Sequence, residues 1–127
     1  MNVVRPPNPI SRSRCPVTCA LDILGDKWTL IVVRDMFLGK RTYSELQNGT
    51  EKIPTNILAD RLKRLEAGGI IRKEPYQQRP VRYGYHLTQK GKDLGPVLQE
   101  LIKWGCKHLS NVAIVDPSVL NTNTRST

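Results

Sequence analysis

The stretch from residue 42 to residue 88 constrains the fold most, because its start and stop signals leave few alternatives. Thr42-Tyr43-Ser44-Glu45 has the spacing of a capping box, in which the Thr and Glu side chains satisfy each other's backbone N–H groups where a helix begins. That short helix carries Leu46 and ends at Asn48-Gly49. After a turn, Pro54 suits the first position of a second helix that runs to about Ala67, and Gly68-Gly69 terminates it. Two runs of strand character follow, Ile70 to Tyr76 and Val81 to Leu87, separated by Gln77-Gln78-Arg79-Pro80. They predict a hairpin. In its second strand Val81, Tyr83, Tyr85 and Leu87 alternate with Arg82, Gly84 and His86, which is the period-2 pattern of a half-buried strand.

The flanks read as helices. Pro16 opens one in which Val17, Ala20, Leu21 and Leu24 recur at helical spacing before Gly25. Asp26 can cap another, Trp28 to Leu38, with Leu30, Ile31, Arg34 and Phe37 on successive turns and Gly39 at its end; its density of Ile, Val and Leu predicts near-complete burial. Thr88 caps a last helix with apolar Leu94, Val97, Leu98, Leu101, Ile102, Trp104 and Leu109, expected to reach about residue 109 with a kink at Gly95-Pro96. Residues 1 to 14, with three prolines and three arginines, are expected to form a flexible basic arm, and 110 to 127, rich in Ser, Thr and Asn, a disordered tail. The expected organisation is one domain over 15 to 109, mainly α with a small β-hairpin, in the α+β class. The apolar surplus of its terminal helices is more than so small a domain can bury alone, which suggests a homodimer.

Charge narrows the function. Twenty Lys and Arg stand against eleven Asp and Glu in 127 residues, a net charge of +9 that commonly marks a polyanionic partner. A basic surface that only maintains solubility is the plainer alternative, so the placement of the charges has to decide. No window approaches the roughly 18 to 20 apolar residues of a membrane span, and MNVVRPPNPISRSR lacks the apolar core of a signal peptide. The expectation is a cytoplasmic protein with no membrane partner. Three cysteines, Cys15, Cys19 and Cys106, form no secreted disulfide framework.

Sorted at about 100 degrees per residue, the 54 to 67 helix places Leu58, Leu62 and Leu65 together on one side. Opposite them fall Asn56, Ala59, Asp60, Lys63 and Ala67, a face of small and hydrogen-bonding side chains that can enter a groove. An Asn56 amide can pair bidentately with adenine, and the Thr55 methyl can touch thymine. Ser44, Lys52, Pro54, Arg64, Arg79 and Arg82 complete the candidate DNA-binding set; Lys52, Lys63, Arg79 and Arg82 suit phosphate, where contacts set affinity and salt dependence without choosing a sequence. Asp60, an acid on the reading face, either accepts from a cytosine amine or holds a neighbouring Lys or Arg in place. The plainer reading is an ordinary amphipathic surface helix. Against it stand the capped helix before and the Arg79-tipped hairpin behind, which together predict a helix-turn-helix with a basic wing.

At these residues the chain resembles the HxlR-type winged helix-turn-helix regulators, relatives of the MarR group. Cys15-Pro16, Leu24-Gly25-Asp26-Lys27-Trp28, Tyr43-Ser44-Glu45-Leu46, Ile53 through Arg61-Leu62 with Leu65-Glu66, Gly69-Ile70, Tyr85-His86-Leu87-Thr88 with Gly91, and Trp104 carry the resemblance, in order, over roughly residues 15 to 109. Pro54 stands where the family usually has Ser, and Gly84 where it usually has an acidic residue. The resemblance implies a transcription factor that dimerises through its terminal helices, with the 54 to 67 helix in the major groove and the hairpin beside it. The expected target is a pseudo-palindromic operator and the expected action repression, with activation left open by the sequence.

Cys15 sits just before a helix amino terminus and follows Arg12 and Arg14, so both the helix dipole and nearby cations favour its thiolate. A redox or electrophile signal through Cys15 is expected, in keeping with the frequent N-terminal cysteine of the family, and a small-molecule effector is the other option. Cys19 or Cys106 can serve as a resolving thiol, or each can be a small buried hydrophobe. Zinc ligation by Cys15, Cys19, Cys106 and His108 matches no common spacing, and no cofactor is expected. Nor is an enzyme: Cys15 and Cys19 do not make a CxxC motif, and neither His86 nor His108 has an evident catalytic partner. The competing binding function is a basic RNA- or ribosome-associated protein, which calls for exposed aromatics to stack on bases, whereas the tyrosines here are expected to alternate inward.

Overall fold

The computed structural model describes residues 13–120. Six α-helices, one hairpin and a closing 3-10 turn follow in the order α1 (Pro16–Leu24), α2 (Thr29–Phe37), α3 (Tyr43–Gln47), α4 (Thr55–Ala67), β1 (Ile71–Gln78), β2 (Val81–Leu87), α5 (Gln89–Lys92), α6 (Gly95–His108) and the 3-10 turn Pro117–Leu120. Some of these boundaries have a local cause. The N-cap of α2 is Trp28 and not Asp26, which lies two residues earlier and accepts from the N–H groups of Trp28 and Thr29 at 2.9 and 3.1 Å. The capping box of α3 is complete: the Glu45 N–H donates to the Thr42 hydroxyl oxygen at 3.1 Å, and the Thr42 N–H donates to the Glu45 carboxylate at 3.1 Å. Gly69, which follows α4, has a φ of 76°, a left-handed conformation that glycine adopts without a steric penalty.

The core is built from one face of α4 against α2. Leu58, Leu62 and Leu65 of α4 are buried with Val32, Val33 and Met36 of α2, and Leu46 of α3, Ile70, Ile71 and Leu87 extend the cluster under the hairpin. The strands are antiparallel, with Ile71 opposite Leu87 at the base and Gln78 opposite Val81 at the tip, and a bulge at Tyr76 interrupts the register. The Tyr85 N–H donates to the Arg41 carbonyl at 2.7 Å, which ties β2 to the segment between α2 and α3. At Gly91 a Cβ would lie 2.3 Å from the Ile70 carbonyl oxygen, so only glycine lets α5 seat this closely on the start of the hairpin.

Five further expectations are corrected. Pro54 is the N-cap of α4 and not its first residue, because its ψ of 145° is extended. The last helix is broken, not kinked: Thr88 caps only the short α5, which ends at Lys92, and α6 starts afresh at Gly95. On α2 Leu30, Ile31 and Phe37 are only half-buried and Leu38 is exposed, since the core covers one side of that helix. β1 runs on to Gln78, and inward alternation of β2 holds only near its base: Leu87 is buried and Tyr85 half-buried, while Val81 and Tyr83 are exposed because the outer hairpin extends beyond the helical layer. The segment after residue 109 is structured up to residue 120. There Leu120 is 2% exposed, and the Gln99 side-chain amide on α6 donates to the carbonyls of Pro117 and Leu120 at 3.3 Å each. Most of the expected N-terminal arm, Arg12 included, and the last seven residues lie outside the described residues.

Candidate nucleic-acid interface

Leu58, Leu62 and Leu65 turn the other side of α4 outward: Pro54, Thr55, Asn56, Ala59, Asp60, Lys63, Arg64 and Ala67 are all exposed. Sequence pattern and structure agree here because burying one helical stripe fixes where the opposite one points. Ser44 on α3 and Lys52 in the turn before α4 are exposed as well, as are Arg79 and Arg82 at the tip of the hairpin. Lys52 has a φ of 58°, a left-handed conformation unusual for a side-chain-bearing residue, and its N–H donates to the Gly49 carbonyl at 3.1 Å.

Pro54 offers no side-chain cap to α4. The neighbouring α3 holds that end instead, as the Tyr43 hydroxyl donates to the Thr55 carbonyl at 2.7 Å and the Gln47 amide donates to the Thr55 hydroxyl at 3.2 Å. The turn between the two helices is fixed from below. Arg34 of α2 donates to both Glu51 carboxylate oxygens at 3.0 and 2.7 Å and to the buried Asp35. The hydrogen bonds to Glu51, and behind them those to Asp35, hold the Arg34 guanidinium above its usual range.

Asp60 has two arginine partners, Arg61 and Arg64. Arg61 in turn reaches Asp26, its Nε donating to that carboxylate at 2.8 Å. Partial burial opposes ionisation of Asp26, but hydrogen bonds from the Thr29 hydroxyl, Arg61 and the Trp28 N–H outweigh it and hold the carboxyl well below the usual carboxylate range. The stabilisation this pairing gives is therefore present above about pH 4 and lost as pH falls through the depressed value. Sequence pattern does not reveal the Arg61 bond to Asp26 or the Tyr43 bond to Thr55, because those partners lie on other elements. The wing also differs from expectation: Tyr76 and Tyr83 are 57% and 46% exposed, and Lys73 lies 5.0 Å from the centre of the Tyr83 ring.

Cys15 is exposed at the N-cap of α1. Hydrogen bonds from the backbone N–H groups of Thr18 and then Val17 lower the pKa of its thiol. Cys19, on the next turn, and Cys106, on α6, are half-buried, with Sγ near the carbonyls of Ser13 and Ala113 at 3.4 and 3.8 Å. Trp104 is 60% exposed on α6, and Val97 and Leu101 are exposed there as well. Among the described residues no group of three or more His, Cys, Asp or Glu is placed to hold a metal ion, and no helix is long and apolar enough to cross a membrane.

A short helix pinned to the start of a longer one whose outer face is free, followed by a basic hairpin, defines a winged helix-turn-helix protein. The chain belongs to the HxlR-like helix-turn-helix family, whose match spans residues 23–113. It is 34% identical over 102 residues to the HTH-type transcriptional regulator YvaP of Bacillus subtilis, covering 80% of this chain and 89% of that protein. Among solved structures it is similar to a MarR-family transcriptional regulator from Porphyromonas gingivalis W83, with a TM-score of 0.68 at 34% identity, covering 79% of this chain and 98% of that one. It is equally similar to the redox regulator HypR in its oxidized form, with a TM-score of 0.68 at 34% identity over 76% of this chain and 99% of that one.

Proposed function

We propose that the protein is a sequence-specific transcriptional repressor that binds a pseudo-palindromic duplex as a homodimer, with α4 in the major groove and the wing on the adjoining backbone. The observation that carries this reading is the continuous exposed face of Thr55, Asn56, Ala59, Asp60 and Lys63 on a helix whose other side is locked into the core. Asn56 is the base reader, Thr55 its apolar neighbour, and Lys52, Lys63, Arg79 and Arg82 the phosphate contacts. Exposed Val17 and Leu21 on α1 with Val97, Leu101 and Trp104 on α6 supply the apolar surface for a second copy. Half-sites then fall about one helical turn apart, roughly 34 to 36 Å.

The exposed Tyr76 and Tyr83 favour a second reading, in which a basic, aromatic wing binds RNA. A duplex selected by the protein, set against RNA of equal length at fixed salt, separates the two. The regulator reading predicts a preference for the duplex of roughly a thousandfold or more. Equal affinities would favour RNA.

The signal on this reading is oxidation or alkylation of Cys15, supported by its exposure and its hydrogen-bonded helix N-terminus. Its labelling by an alkylating reagent should reach half its maximal rate at a pH below that of a free thiol. Mild oxidant should release wild-type protein from DNA and leave Cys15→Ser bound; an identical response from both would eliminate the sensor.

A further inference from the structure

Burial of Leu58, Leu62 and Leu65 fixes how deep α4 sits, but apolar contact is non-directional and sets the helix's rotation only loosely. Arg61 adds direction. At roughly 100 degrees per residue it lies about 140 to 160 degrees around the helix from Asn56 and Lys63, on the flank of the buried stripe. Its side chain is 17% exposed. One arm of the guanidinium donates to Asp26 at 2.8 Å, and that carboxylate is itself held by the Trp28 and Thr29 N–H groups at 2.9 and 3.1 Å and by the Thr29 hydroxyl. The other arm donates to Asp60, which also accepts from Arg64 at 3.3 Å. A single guanidinium thus joins the carboxylate at the start of α2 to the acid on the outward face of α4.

We propose that the Asp26–Arg61 pair is a positioning device that sets the rotation of α4 and draws the Asp60 carboxylate toward Arg61 and Arg64, away from the path of the DNA. Neither Asp26 nor Arg61 reads bases. They act through Asn56, whose amide must meet a base edge in one orientation, and through Asp60, whose carboxylate must be held clear of that edge. The inference rests on the DNA-reading function proposed above.

Asp26→Asn tests it, since the amide oxygen can still accept from the Trp28 and Thr29 N–H groups while the charge that holds Arg61 is removed and the Thr29 hydroxyl turns to accept from the amide NH2. Asp26→Asn, Arg61→Gln and the double variant are compared with wild type for affinity toward a duplex selected by the wild-type protein and toward an unrelated duplex of equal length, with thermal midpoints measured in parallel. Each single variant should lose about tenfold in affinity for the selected duplex, the size expected for residues coupled in one network, and change by less than about threefold on the unrelated one. The double variant should lose no more than the worse single. Selected and unrelated affinities falling together with the thermal midpoint would mean a purely structural role; losses that multiply in the double variant, or no loss at all, would equally overturn the proposal. A wild type that shows no preference between the two duplexes contradicts the DNA-reading function itself, and the positioning role falls with it.

Discussion

Replacing Leu58 by alanine is expected to destabilise the fold by about 3 kcal/mol, within the roughly 2 to 5 kcal/mol seen when a large aliphatic side chain is removed from a packed core. Leu58 is 0% exposed, and α4 meets both α2 and α3 along this side, so no neighbour is free to collapse into the space. The measurement is denaturant unfolding, where the midpoint should fall with little change in slope. A loss below about 1 kcal/mol would mean that the site is loosely packed and α4 not rigidly seated, which would weaken every inference about what its outer face presents. Ala59→Ser, one residue on and exposed, should change stability by less than about 0.5 kcal/mol.

Reversing the charge at Lys63 should have the largest effect on binding. Lys63 is exposed on the outward side of α4, with Asp60 one turn earlier engaged by Arg61 and Arg64. Hydrogen bonds to charged groups are worth about 1.5 to 3 kcal/mol, so Lys63→Glu should cost roughly 10- to 100-fold in affinity per subunit because one phosphate goes unpaired, with repulsion added. The decrease should be similar for specific and unrelated duplexes. The dependence on salt concentration should become shallower by about one unit for each phosphate that is no longer neutralised. Unchanged affinity would show that this face does not meet DNA.

These two substitutions address the parts of the fold that sequence pattern specifies best, the buried and outward stripes of one amphipathic helix. The capping box at Thr42 and Glu45 is equally legible, because both partners lie within four residues of each other. What escapes the sequence depends on partners far along the chain. Asp26 and Arg61 are 35 positions apart, and only folding brings them together. α5 carries no apolar residue, so the apolar spacing that begins at Leu94 cannot reveal where α5 ends and α6 begins. Leu120 is one of several apolar residues after α6, Val112, Ile114, Val115 and Val119 among them, and nothing local marks it out as the one that is buried. Alternation on β2 correctly places Leu87 but not Tyr83, since a period of two says which face a residue takes and not whether anything covers that face. Pro54 in place of a capping side chain looks like a defect for the same reason, as the compensating hydrogen bonds come from Tyr43 and Gln47 on α3.

The central claim is that Asn56 reads a base from the major groove, and it is tested most directly by selecting duplexes from a random pool with wild-type protein and with Asn56→Ala. The wild type should return a two-fold symmetric motif, and the variant the same motif with preference relaxed at one position in each half-site, equivalent to about 1 to 3 kcal/mol. A wild-type motif that the variant reproduces at every position would contradict the account.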